Sequence, residues 1–163
     1  MLVNNEKGIF TVMTSNNVKD LPPELTRAGR LDAIWYFSLP NEDERQEILA
    51  VHFKKRNQKV QEPIVREIAK ETQGYTGAEL EQIVKSAIKK AYVRKAKGID
   101  DIFEITKKDL MDSKKEVIPI SKSSREKINA LESWAKGRAL FANERTNNKK
   151  IDLDSIDIDN FDI

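Results

Sequence analysis

Residues 14–32 read Thr-Ser-Asn-Asn-Val-Lys-Asp-Leu-Pro-Pro-Glu-Leu-Thr-Arg-Ala-Gly-Arg-Leu-Asp. Asn16 closes a mostly apolar run from Gly8 to Thr14, rich in β-formers, that reads as a buried strand. Pro22 and Pro23 stand where a single helical turn can begin, since proline is tolerated at a helix start. Arg27 and Arg30 flank an Ala28-Gly29 turn that lets both side chains project from one loop. A guanidinium stays charged and can bond phosphate oxygens in pairs. Ala33 to Leu39 is a second apolar, aromatic run, stopped by Pro40. Two strands this hydrophobic suit neighbours in a covered parallel sheet, and so the end of a larger sheet.

Downstream the periodicity becomes helical. Asn41 can cap a helix with Glu44 at its third position, placing Ile48, Leu49, His52 and Phe53 on one face. Pro63 opens a second helix with Ile64, Ile68 and Ala69 inward, and Gly74 can end it in a left-handed cap. Thr76 and Glu79 form a capping box ahead of Leu80, Ile83, Val84, Ala87, Ile88, Ala91 and Tyr92 at helical spacing, until Gly98. Phe103 to Ile105 is a short extended piece, and Thr106 caps a helix to about Lys115. A connector around Val117 to Ile120 leads to a last helix, Ser123 to Asn143, with Ile128, Leu131, Trp134, Ala135 and Phe141 as its apolar stripe.

The 163 residues are 39% hydrophobic and 34% charged with few aromatics, which fits one helix-rich domain with a solvated surface. The absence of cysteine excludes disulfides, thiolate metal sites and thiol catalysis, and a single histidine argues against zinc. No apolar run reaches the length of a membrane span and no signal pattern opens the chain, so a soluble, intracellular protein is expected. A net charge of +2 does not by itself imply nucleic acid. The basic face of Lys85, Lys89, Lys90, Arg94, Lys95 and Lys97 reads as solvated, with nucleic acid or an acidic partner as the alternatives. Residues 151–163 alternate Ile or Leu with Asp and carry five aspartates and no base. They read as an acidic, disordered tail, or as a strand for a partner's sheet edge.

Thr14-Ser15-Asn16, Leu21-Pro22-Pro23-Glu24, Arg27-Ala28-Gly29-Arg30-Leu31-Asp32, Glu47 to His52 and Gly74-Tyr75-Thr76-Gly77-Ala78-Glu79-Leu80 occur here in one order. In that order and spacing they resemble the second half of an AAA ATPase domain. Val117 to Ser121 and Ile128 to Ala139 are similar to the end of one branch of that family. That branch, found in plastids and bacteria, was first named as a hypothetical chloroplast reading frame. The resemblance implies an α/β remnant (the C-terminal strands of a P-loop NTPase sheet) followed by a mainly α-helical lid domain and a helical C-terminal extension. Its expected boundaries are 1–40, 41–115, 116–143 and, for the acidic tail, 144–163. It implies a cytoplasmic bacterial or plastid-stromal protein.

The same resemblance implies roles. Phosphoryl transfer passes through a loose transition state, so the protein mainly supplies position and charge. Asn16 would be the sensor that orients the attacking water, although turn chemistry alone also explains an Asn there. Arg27 and Arg30 would be arginine fingers completing the site of a neighbouring subunit in a homo-oligomeric ring, a hexamer. A surface role or an interface salt bridge is the alternative, and Ala28 departs from the family's usual proline. His52 would lie against the adenine base, although a lone histidine on an apolar face is often a core residue. Gly77 and Ala78 would admit the ribose and phosphates at a helix start, where backbone N–H groups favour anions. The cofactors implied are ATP and Mg2+, with no protein-bound metal site, and the substrate is an unspecified protein.

A phosphate loop needs Gly-Lys, and none of the six glycines is followed by lysine. No apolar strand ends in paired acids. The expectation is therefore a fragment of a longer ATPase, inactive alone and unable to bind ATP and Mg2+ tightly. The alternative is a non-catalytic helical protein-interaction module derived from a lid.

Overall fold

The computed structural model describes residues 11–18, 22, 24 and 31–143. They fall into two compact units, one of residues up to Ser38 with Glu126–Ala142, the other of Leu39–Arg125 with Asn143.

The second unit is helical and holds the main core. Helix α1 (Glu42–Lys54) starts at the expected capping box, with Asn41 Oδ1 accepting from the Glu44 N–H and Glu44 Oε2 accepting from the Asn41 N–H, both at 2.9 Å. Helix α2 (Glu62–Glu71) carries Pro63 in its first turn, where the missing N–H costs nothing. Gly74, at φ +83°, ends this region in the left-handed conformation a side chain disfavours. Helix α3 (Gly77–Ala96) opens on the Thr76/Glu79 box, and helix α4 (Lys107–Glu116) on a Thr106/Asp109 box of the same form. Such caps satisfy N–H groups that have no partner inside the helix and contribute about 1 kcal/mol each.

Leu49, Ile68, Leu80, Ile83, Val84 and Leu110 are fully buried where these helices meet. Each side chain stabilises the fold by about 1.5–3 kcal/mol relative to exposure. Ile48, Ile64 and Ile88 pack against this core half-buried. Tyr92, assigned to the same stripe, is 64% exposed, because it lies at the flank of the face that buries Ala87 and Ala91. Ion pairs frame the core: Lys107–Glu67 at 2.5 Å and Lys114–Glu71 at 2.7 Å tie α4 to α2, and Lys90–Glu116 ties α4 to α3. The basic stripe of α3 is thus less solvated than its sequence implies. Lys85 pairs with Glu81, and Arg94 sits among Asp100, Asp109 and the Glu104 carbonyl.

The last helix is broken. A short helix α5 (Ile120–Ser123) is followed at once by α6 (Arg125–Ala135), and Gly137 (φ +77°) turns the chain into β2 (Leu140–Phe141). Phe141 therefore belongs to a strand and not to the helical stripe. In the first unit, β2 pairs in parallel with β1 (Trp35–Tyr36), in register Trp35 with Leu140 and Tyr36 with Phe141. The Tyr36 and Phe141 rings meet edge-on at 5.1 Å. The second aromatic run thus pairs with a segment far along the chain, and among the described residues not with 11–14. Of that first run, Gly8 to Phe10 lie outside the described residues. Residues 11–14 form no strand, and Val12 and Met13 are 73% and 52% exposed.

Candidate functional site

Two of the residues marked by sequence, His52 and Gly77, lie along the seam between α1 and α3. The seam has two rungs. On one, a Cβ built on Gly77 would stand 4.0 Å from Ile48 Cδ1. On the next, a helical turn further along both helices, His52 Nδ1 lies 4.0 Å from Glu81 Oε1. The two rungs are therefore about one turn apart along the helices, roughly 6 Å. Ala78 is exposed beside Gly77 in the first turn of α3.

Gly77 differs from Gly74 in what holds it as glycine. At Gly74 the backbone is left-handed and a Cβ would run into Ser121 Oγ. At Gly77 neither constraint applies: among the described residues a Cβ would meet only ordinary van der Waals contact. Glycine here costs up to about 1 kcal/mol against alanine in a helix. Packing inside this chain gives no reason for it.

The electrostatics of the second rung are built by residues that sequence reasoning passed over. Arg56 Nη2 reaches Glu81 Oε1 at 2.5 Å, and Lys85 Nζ reaches the same oxygen at 2.8 Å. Hydrogen bonds from Lys85 and then Arg56 hold the Glu81 carboxyl down at about 2. Burial pushes the His52 imidazole below its ordinary value. Glu81 pulls the other way without reversing it, and the positive charges of Arg56, Lys55 and Lys85 add to burial. The ring, its side chain 20% exposed, is thus neutral at pH 7. Arg56 Nη1 stands 3.5 Å from Nδ1 and favours the tautomer with its proton on Nε2. The signal for this cluster was present in sequence: Glu81 and Lys85 are four apart on one helix, as are His52 and Arg56 on the other.

Asn16 belongs to the first unit. It is exposed in a bend stabilised by its neighbours, with Ser15 Oγ accepting from the Asn17 N–H at 3.1 Å and approaching the Asn17 carbonyl at 3.0 Å. Arg27 and Arg30 lie outside the described residues.

Residues 65–112, which take in most of α2, all of α3 and part of α4, match the AAA+ lid domain. The chain is a C-terminal AAA segment with its lid. It is similar to an uncharacterized AAA domain-containing protein, ycf46, of Guillardia theta, at 34% identity over 135 residues, 82% of this chain and 25% of that protein. It is 42% identical over 86 residues to the ATP-dependent zinc metalloprotease FtsH of Mycoplasmopsis pulmonis, 52% of this chain and 12% of that one. The crystal structure of the FIGL-1 AAA domain in complex with ADP shares its fold at a TM-score of 0.58 and 22% identity, covering 75% of this chain and 42% of that one. The AAA segment thus spans about a quarter of the length of its ycf46 relatives. The matched stretch contains α3, one side of the seam just described, while α1 lies ahead of it, and β1 and β2 are the strands among the described residues.

Proposed function

We propose that this chain supplies the lid face and the trans-acting arginines of a ring-forming AAA ATPase that binds and hydrolyses ATP to remodel protein substrates. The observation that carries the reading is Gly77, a glycine at the start of a twenty-residue helix whose Cβ would find room, one rung along the seam from a neutral imidazole. A helix start with exposed N–H groups and no side chain suits close approach of an anionic ligand. A neutral, part-buried imidazole suits the face or edge of a base. ATP with Mg2+, where bound, supplies a phosphoanhydride whose γ-phosphoryl passes to water. Here His52 would hold the base, and Gly77 with Ala78 would leave room for ribose and phosphate. Asn16 would orient water within its own subunit. Arg27 and Arg30 would reach the neighbour's phosphates, where a fixed guanidinium contributes most. Cytoplasmic or plastid-stromal residence goes with this reading.

The test uses the full-length protein carrying the phosphate loop. Arg27→Ala should abolish turnover with nucleotide binding and assembly intact, and retained turnover in an assembled ring would sink the finger role. Gly77→Val should weaken nucleotide binding while the thermal unfolding of the protein is unchanged. Unaltered affinity would remove the lid face from the site.

A further inference from the structure

Away from the seam, α3 presents a second surface that the ATPase reading does not use. Ile88 and Tyr92 of α3, with Phe103 from the segment before α4, floor an open groove of about 580 Å³, and Lys85, Lys89 and Lys95 rim it. Among the described residues, Lys89 and Lys95 form no ion pair, while Lys85 shares Glu81 with Arg56. Tyr92 is mostly exposed. An apolar floor with a rim of three cations, two of them without an ion pair among the described residues, calls for an occupant that is both apolar and acidic.

We propose that residues 151–163 of the same chain dock in this groove. This segment reads Ile-Asp-Leu-Asp-Ser-Ile-Asp-Ile-Asp-Asn-Phe-Asp-Ile, with five aspartates, six large apolar residues and no base. In an extended chain, alternate residues fall on one side about 6.6 Å apart. Lys85 and Lys89, four residues apart on a helix, are separated by about 6 Å along its axis. Successive aspartates of either half therefore match successive lysines, while Ile or Leu side chains turn to the floor. Ser155 changes the alternation between the halves, so Ile151–Asp154 and Ile156–Asp159 are two alternative registers.

The tether reaches. Asn143 Nδ2 donates to Glu44 Oε2 at 2.9 Å, which fixes the chain beside the start of α1. Gln58 lines the groove just past the end of α1, about 20 Å away along the helix axis. From Asn143 to Ile151 an extended chain spans up to about 26 Å. Attachment at that length gives the segment a local concentration in the millimolar range, enough for a weak, salt-sensitive contact to be occupied.

The chain has no cysteine, so Ser155→Cys in the full chain takes a single nitroxide label. Paramagnetic loss of amide signal is read by NMR in the nitrogen-15-labelled protein. The expected result is a selective loss for residues 85–95 and Phe103, abolished by Lys89→Glu with Lys95→Glu and by half-molar salt. Both lysines are exposed, so the doubly reversed chain keeps its fold and its unperturbed spectrum checks this. Loss spread evenly over the surface, or selective loss that survives the charge reversal, overturns the proposal. So does loss seen only when spin-labelled and isotope-labelled molecules are different and mixed, since the groove would then hold a second copy. None of these readouts depends on nucleotide.

Discussion

Arg45 is 5% exposed, and an arginine that deep needs a reason. Its Nε–H donates to the Ala69 carbonyl at 2.8 Å, and Nη1 donates to the Pro40 carbonyl at 2.7 Å. Ala69 stands in the last turn of α2, where carbonyls lack helical partners and the helix dipole favours a cation. One side chain thus fastens α1 to the end of α2 and to Pro40, just ahead of α1. Burial lowers the guanidinium from its ordinary value, opposed by Glu42 and Glu44, but arginine stays charged at any working pH. Arg45→Met keeps the apolar stem and removes both bonds. Hydrogen bonds to a charged group contribute about 1.5–3 kcal/mol each. Part of that loss is offset because a buried charge disappears, and Ala69 keeps Thr72 Oγ1 at 3.3 Å. The net expected loss is about 2–3 kcal/mol, or about 10–20 °C in Tm for a lid of this size. Urea unfolding followed by circular dichroism at 222 nm measures it, with an unchanged slope required for the comparison. Arg45→Lys, which can serve one carbonyl at most, should fall between. A loss under about 0.5 kcal/mol for Arg45→Met would refute the reasoning, since the change removes two hydrogen bonds from a charged donor, to the Ala69 carbonyl and to the part-buried Pro40 carbonyl.

The lone histidine makes proton NMR titration unambiguous: His52 should titrate below 6.5, and lower still in Glu81→Gln, because the carboxylate is the group pulling it upward. Since its folded value is depressed, its contribution to stability is present above 6.5 and is lost as pH falls through the folded value. Glu81 is depressed as well, so its contribution is present above about 4.5 and fades toward about pH 2, and Glu81→Gln should flatten acid unfolding across that window. Gly74→Ala should destabilise the lid by about 1–2 kcal/mol from left-handed strain alone, with more from the Ser121 collision. Adding Ser121→Gly should recover the collision part in a chemical-denaturation cycle, and full additivity would contradict the contact.

The lid was legible because its signals are local. Asn41, Thr76 and Thr106 each sit three residues before an acid that closes a capping box, and Gly74 and Gly98 mark φ-positive ends, so the boundaries of α1, α3 and α4 follow from neighbours in the chain. The burial of Leu49, Ile68, Leu80 and Ile83 follows from period alone. What sequence reading missed was set by distant residues. The parallel pairing of Trp35–Tyr36 with Leu140–Phe141 spans more than a hundred residues, and nothing in either dipeptide names the other. Residues 11–14, the described part of the strand expected before Asn16, form none for the same reason: apolar content permits a strand, but only a partner makes one. At the site, His52 and Gly77 were marked by type and spacing, whereas Glu81 and Arg56 were not, because their importance is a contact between helices. Arg94 was counted as a solvated charge until Asp109 met it from the next helix.

Glu79 was introduced as half of a capping box, yet only its Oε2 is used there, binding the Thr76 N–H at 2.7 Å. Its Oε1 accepts from the Ile120 N–H, also at 2.7 Å, and the Tyr75 hydroxyl donates to the Val117 carbonyl at 3.0 Å. The first turn of α3 and the strap that leaves α4 are therefore joined twice, by Glu79 inside the helix and by Tyr75 just before its cap. A load applied to residues 117–121 reaches the backbone around Gly77 by two routes, the Glu79 carboxylate and the core pair Tyr75 and Val117. The helix start and the strap are thus coupled through two hydrogen bonds, so a tilt of one strains its bonds to the other.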